Sequence, residues 1–140
     1  MGFQQVGRVL VCTVSDKGIV RLRFVWETNA NGDAVEFVRE PIDGRLLRLA
    51  AYHGDIGVSG TYDAYLYDPY DSDVLDANGA ALPLNGSASV NLLAQRAGNR
   101  VTPIYAMGRH AIRIDSGAAA TYGRLDLFYR PFTEGDHNVA

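Results

Sequence analysis

Between residues 49 and 88 the chain carries Asp55, Asp63, Asp68, Asp71, Asp73 and Asp76 and no lysine or arginine. Carboxylates this concentrated could ligate a hard cation, act as general acids and bases, or form an acidic docking face. Asp71 and Asp73 begin the alternate-position pattern of an EF-hand loop. Leu75 then occupies the next ligand position, and no glutamate follows at the required distance. A calcium site of another kind in a loop of a β protein stays open, but a solvated acidic loop explains the stretch without a metal, and no cofactor is expected.

Signatures of catalysis are missing. His53, His110 and His137 are far apart, each next to a glycine turn or in the tail, without zinc-type spacing. Gly57-Val58-Ser59-Gly60 resembles a nucleophile elbow only in part, because Thr61 stands where that motif needs its second glycine. The expectation is a protein that is not an enzyme.

The tyrosines are the other chemical clue. Tyr52, Tyr62, Tyr65, Tyr67 and Tyr70 fall within 19 positions. In GTYDAYLYDPYDSDVLD, Tyr62, Ala64 and Leu66 alternate with Asp63, Tyr65 and Tyr67, which is strand periodicity. With Tyr62 on the core side, Tyr65 and Tyr67 face outward. Exposed tyrosines on a strand suit a protein interface, and also a sugar-stacking platform; cover by another part of the fold is the plain structural alternative. Candidate interface residues are therefore Tyr65, Tyr67, Tyr70, Asp71, Asp73 and Asp76.

The elements that must position these residues read mostly as short strands. Val20–Glu27 has the clearest pattern, with Val20, Leu22, Phe24 and Trp26 on one face. Val9–Val14 reads as a buried strand containing the only cysteine, Cys12, as a small buried hydrophobe. Ser15-Asp16-Lys17-Gly18, Thr28–Asp33 with its Asn31-Gly32 hairpin dipeptide, and Ile42-Asp43-Gly44 read as turns. Ala34–Arg39 is a strand. Arg45–His53 fits strand or short helix and is read as strand. Thr61–Asp68 is the tyrosine strand, which Pro69 must end or make an edge. Val90–Arg96, capped by Ser87 or Ser89 and ended by Gly98, is the best helix candidate. Val101–Met107, Ala111–Asp115 and Gly123–Arg130 are further strands, and Pro131–Ala140 reads as a loose tail.

A chain of 140 residues fits one domain, with 47% hydrophobic and 21% charged residues and 15 glycines. The economical fold is all-β: an antiparallel β-sandwich or jelly roll with at most one or two short helices. The net charge of −3 argues against nucleic-acid binding. No apolar run is long enough for a membrane-spanning helix, and the first residues lack the pattern of a secretion signal. Lys17 is the only lysine; every other cationic side chain is arginine, the residue suited to forked contacts with carboxylates.

The run from Gly60 to Leu93 resembles small virion proteins of tailed bacteriophages. Their shared pattern, "YDV-x-L-x-D-x-D-G-x-D-x-L" followed by an Asn- and Gly-rich stretch, is matched by Tyr62-Asp63-Ala64, Leu66, Asp68, Asp73, Val74 and Leu75. Their "V-x-L-x-F-x-W" strand corresponds to Val20, Leu22, Phe24 and Trp26. The chain departs from them at Pro69-Tyr70, where such proteins carry glycine. The resemblance covers about the first two thirds of the chain and implies a structural virion protein with a β-sandwich fold and no catalytic residues. Within that class it implies a capsid cement or decoration protein, made in the host bacterial cytoplasm and placed on the capsid surface. Its partners would be its own copies, as homodimer or homotrimer, and the major capsid protein. A head–tail or tail component is the runner-up, and a carbohydrate-binding module using the tyrosine face is the alternative from another class.

Overall fold

The structure is a computed structural model that describes residues 7–52, 60–92, 95–97, 100–116 and 121–132. Twelve strands follow one another: β1 (Arg8–Asp16), β2 (Ile19–Glu27), β3 (Asp33–Phe37), β4 (Gly44–Tyr52), β5 (Thr61–Tyr67) and β6 (Leu82–Pro83), then β7 (Ala88–Asn91), β8 (Gln95–Ala97), β9 (Arg100–Thr102), β10 (Tyr105–Ala106), β11 (Ala111–Ser116) and β12 (Tyr122–Pro131). They form two main antiparallel sheets. The larger has the order β1-β2-β12-β4-β10, with β7 also on β4; the smaller has the order β3-β11-β5-β6; β8 and β9 pair separately.

Alternation explains most of this. Val20, Leu22, Phe24 and Trp26 are all buried, as are Tyr62, Ala64 and Leu66 on β5 and Ile112 and Ile114 on β11. Side chains from both sheets enter one hydrophobic cluster. At its middle the Trp26 and Tyr62 rings meet with centroids 4.7 Å apart. Position 123 must be glycine, because a Cβ there would run into the Trp26 indole. Burial of the Tyr62 phenol pushes its pKa well above the ordinary value.

The ambiguous run in β4 has a physical cause. Its pairing with β12 shifts register between Phe128 and Tyr129, so that Leu47 is an extra residue between Leu46 and Arg48. This bulge lets Leu46 and Leu49, three apart, both point into the core. Three-residue spacing imitates a helix face, although the backbone is a strand.

Several expectations are corrected. No helix occurs among the described residues; the stretch expected to be helical, Val90–Arg96, takes in the end of β7 and the start of β8, and Ala88–Asn91 is recruited as a strand by β4. Cys12 is exposed, and of the run Val9–Val14 only Val9 is buried, because β1 is an edge strand covered on one face. The β1–β2 turn narrows to Lys17-Gly18, with φ of 52° and 80°, the geometry of a two-residue primed hairpin turn. Asn31-Gly32 does not close a hairpin, because β2 and β3 belong to different sheets. The Asn29 carboxamide holds that crossover by accepting from the Asn31 and Asp33 amides. Ile42 is fully buried and Gly44 opens β4, so that proposed turn is core and strand. The strand expected over residues 101–107 is interrupted at Pro103-Ile104, where proline lacks a ladder donor.

Candidate functional site: the outer faces and the acidic loop

The outer face of the smaller sheet is built from residues in register on β3, β11 and β5. One row holds Phe37, Ala111 and Tyr67, the next Val35, Arg113 and Tyr65, and the third Asp33, Asp115 and Asp63. Phe37 is 78% exposed and Val35 46%. The Tyr65 and Tyr67 rings are half-buried and stack with centroids 5.8 Å apart and planes 10° from parallel. The face thus grades from aromatic and aliphatic to acidic, with Arg113 between, 3.8 Å from the Asp33 carboxylate. The Tyr65 phenol pKa is raised, chiefly by the nearby Asp63 carboxylate.

The acidic loop runs back along the free side of β5. The Val74 amide donates to the Leu66 carbonyl, and the Ala64 amide donates to the Gly79 carbonyl, before β6 takes over beside Tyr62. It therefore covers much of an edge that would otherwise expose unpaired backbone groups. Leu75 is buried and anchors it.

Two of its carboxylates, and that of Asp63 on the adjoining β5, are committed to backbone amides. Asp73 accepts from Leu66 (3.0 Å), Leu75 (3.1 Å) and Ala77 (3.4 Å). Asp68 accepts from Tyr70 (2.8 Å) and Ser72 (3.0 Å), and Asp63 from Ala81 (2.8 Å). Such bonds support tight turns, here ones in which Asp71, Asp76, Ala77 and Ala81 adopt positive φ. Asp71 and Asp76 are left exposed, and Tyr70 is 88% exposed at the tip. Among the described residues no three histidine, cysteine, aspartate or glutamate side chains converge on a possible metal position.

So the structure separates the six candidate residues into three groups. Tyr65 and Tyr67 lie on a sheet face, Tyr70, Asp71 and Asp76 on a projecting loop, and Asp73 inside the loop as its organiser. His110 is buried, its Nδ1 donating to the Gly108 carbonyl at 2.8 Å. His53, His137, Asp55 and Gly57-Val58-Ser59 lie outside the described residues, as does the tail beyond Phe132.

Sequence reasoning missed the outer face of the larger sheet. There Asp126, fully buried, receives two bonds from Arg23, Nε to Oδ1 at 3.1 Å and Nη2 to Oδ2 at 3.2 Å. Arg124 adds a third contact at 3.8 Å while lying over the Tyr52 ring, 3.8 Å from its centroid. The Asp126 bond raises the Arg23 pKa. With Arg21 and Arg48 on the same face, this sheet presents arginines where the smaller sheet presents aspartates. The alternation of both strands was readable; the pairing across 103 residues had no local signal.

Comparison with known proteins finds no matching family, no matching curated protein and no matching solved structure.

Proposed function

We propose that this chain is a structural protein of a larger assembly, a capsid cement or decoration protein of a tailed bacteriophage, which holds neighbouring shell subunits and its own copies together. The observation that supports this reading is the pair of rows Phe37–Ala111–Tyr67 and Val35–Arg113–Tyr65 on the outer sheet face, aromatic and aliphatic around Arg113, with Phe37 and Val35 exposed and an acidic border. Aromatic residues with a polar rim are the usual make-up of a protein contact. The bacteriophage part of the proposal rests on the sequence resemblance alone. Repetition by symmetry would multiply individually weak contacts on a shell.

The test adds the purified protein to tailed-phage shells stripped of decoration and images them by electron microscopy. Regular occupancy over the shell supports the cement role, and Phe37→Asp or the Tyr65→Ala/Tyr67→Ala pair should remove it. Binding confined to one vertex or to the tail would move the protein to the head–tail junction or tail. Bare shells would reject the virion proposal. A second reading, a carbohydrate-binding module, is favoured by one feature, the parallel Tyr65–Tyr67 pair. A positive glycan array together with bare shells would select it.

A further inference from the structure

The bulge that places Leu47 in β4 also shapes the outer face of the larger sheet. An open groove of about 510 Å³ lies there, lined by Ile19, Leu47 and Phe128 and by Arg48, Ser89 and Asn91. Cross-strand register puts Arg21 on one side of Phe128 and Arg48 on the other. Arg48 Nε donates to Ser89 Oγ at 2.6 Å, and Arg21 has no carboxylate partner among the described residues. The groove is therefore an apolar floor with Arg48 in its wall, of a size that takes a ring-bearing side chain, and Arg21 is the cross-strand neighbour of its Phe128.

The same molecule displays the complementary shape. Tyr70 projects from the acidic loop with Asp68 and Asp71 beside it, and is 88% exposed. The Asp68 carboxylate fixes the tip by accepting from the amides of Tyr70 and Ser72, so the backbone that carries the ring is already ordered before docking. Tyr70 does not fill the groove of its own chain: it is exposed, and its loop edges the other sheet.

We propose that copies of this chain join head to tail, the Tyr70 ring of one copy entering the Ile19–Leu47–Phe128 groove of the next, with its flanking carboxylates against Arg21 and Arg48. This deepens the assembly reading above by naming the contact between copies, and leaves the outer face of the smaller sheet for the shell. Because the two patches differ, the contact is heterologous and generates a ring if its rotation closes and a chain if it does not. Opposed charges at its rim make it weaken with added salt.

Sedimentation velocity from micromolar to millimolar concentration tests this. Wild-type protein should associate, and Tyr70→Ser and Arg48→Glu should each weaken association by roughly thirtyfold or more, as loss of a central contact does. Circular dichroism confirms that each variant is folded. The diagnostic step mixes the two variants. The Tyr70→Ser copy keeps a working groove and the Arg48→Glu copy a working knob, so the mixture should form a one-to-one pair and stop there. A wild type that stays monomeric at millimolar concentration, a Tyr70→Ser variant that associates like wild type, or a mixture that does not pair would overturn the proposal. Dissolution by Tyr65→Ala/Tyr67→Ala but not by Tyr70→Ser would place the contact on the sheet face instead and overturn it too. A monomer that still decorates shells would defeat this inference and leave the proposed function standing; an oligomer that leaves shells bare would do the reverse.

Discussion

The outer face of the larger sheet and the loop that edges the smaller one both hold carboxylates, and they neutralise them by opposite means. Asp126 is fully buried and relies on the side chain of Arg23, 103 residues away in sequence. Asp73 relies on backbone amides no more than seven residues away. The first arrangement ties β2 to β12 across the centre of a sheet. The second closes a turn and covers an edge. The difference shows that counting aspartates overstates the free acidic charge of this region: Asp68 and Asp73 of the loop and Asp63 of β5 accept backbone bonds, and Asp71 and Asp76 are the loop acids left to solvent without such bonds among the described residues. A long-range pair and a local one should also fail differently.

The largest expected effect is at the long-range pair. Arg23→Leu leaves the Asp126 carboxylate buried with, among the described residues, only Arg124, 3.8 Å away, as an ion-pair partner. Asp126 is fully buried but Arg23 is only partly so, and the expected loss is therefore below the full cost of breaking a buried pair while still the largest of the three. Replacing both, Arg23→Leu with Asp126→Leu, should recover most of that loss, because no stranded charge remains. Chemical denaturation of the two variants measures it. A single-variant loss below about 1 kcal/mol would mean that water or Arg124 satisfies Asp126 without Arg23.

The loop carboxylate should matter less, and its dependence should be on geometry more than charge. Asp73→Ala removes the acceptor of three amides, and a loss of about 2 kcal/mol is expected. Asp73→Asn keeps an acceptor oxygen and should lose clearly less. Amide exchange at Leu66 and Leu75 should accelerate in the alanine variant while the β2–β12 ladder stays protected. Equal losses from alanine and asparagine would show that the negative charge, not the acceptor, holds the loop.

How far the sequence carries follows from the same contrast. Val20–Trp26 and Tyr62–Leu66 were legible because each alternates without interruption and one face is fully buried. Cys12 was misread because an unbroken apolar run suggests cover on both faces, whereas β1 is an edge strand whose outer face is open. The helix expected over Val90–Arg96 rested on a short segment whose few apolar positions suit either period; pairing with β4 decided it. Tyr65 and Tyr67 faced outward as alternation required, and Tyr70 followed from Pro69 ending the strand. The groove beside Phe128 was not legible, since it depends on a bulge created by two strands that meet far apart in sequence.

The smallest of the three expected effects lies at the root of the acidic loop, where Gly108 packs against Pro69. His110 is buried there, and its Nδ1 donates to the Gly108 carbonyl, which leaves Nε2 as the bare nitrogen of the neutral ring. Nε2 is buried with no hydrogen-bond partner, so protonating it would place an N–H where nothing accepts. Desolvation lowers the His110 pKa below the ordinary 6.5, while the Gly108 carbonyl, Asp68 and Asp43 oppose that shift. With the folded value below the unfolded one, the unfolded chain binds the extra proton first. His110 therefore has no effect on pH dependence well above about 6.5, and costs stability as pH falls below it toward the folded value. The chain has two other histidines, His53 and His137, so the wild-type profile alone does not isolate the effect. Subtracting the profile of His110→Gln, whose side chain stays neutral, removes their contribution. Thermal midpoints between pH 7 and pH 5 should fall more steeply in wild type than in the variant. Parallel profiles would mean that the His110 ring accepts its second proton in the folded state as easily as in the unfolded one, and that the acids at the loop root offset its burial completely.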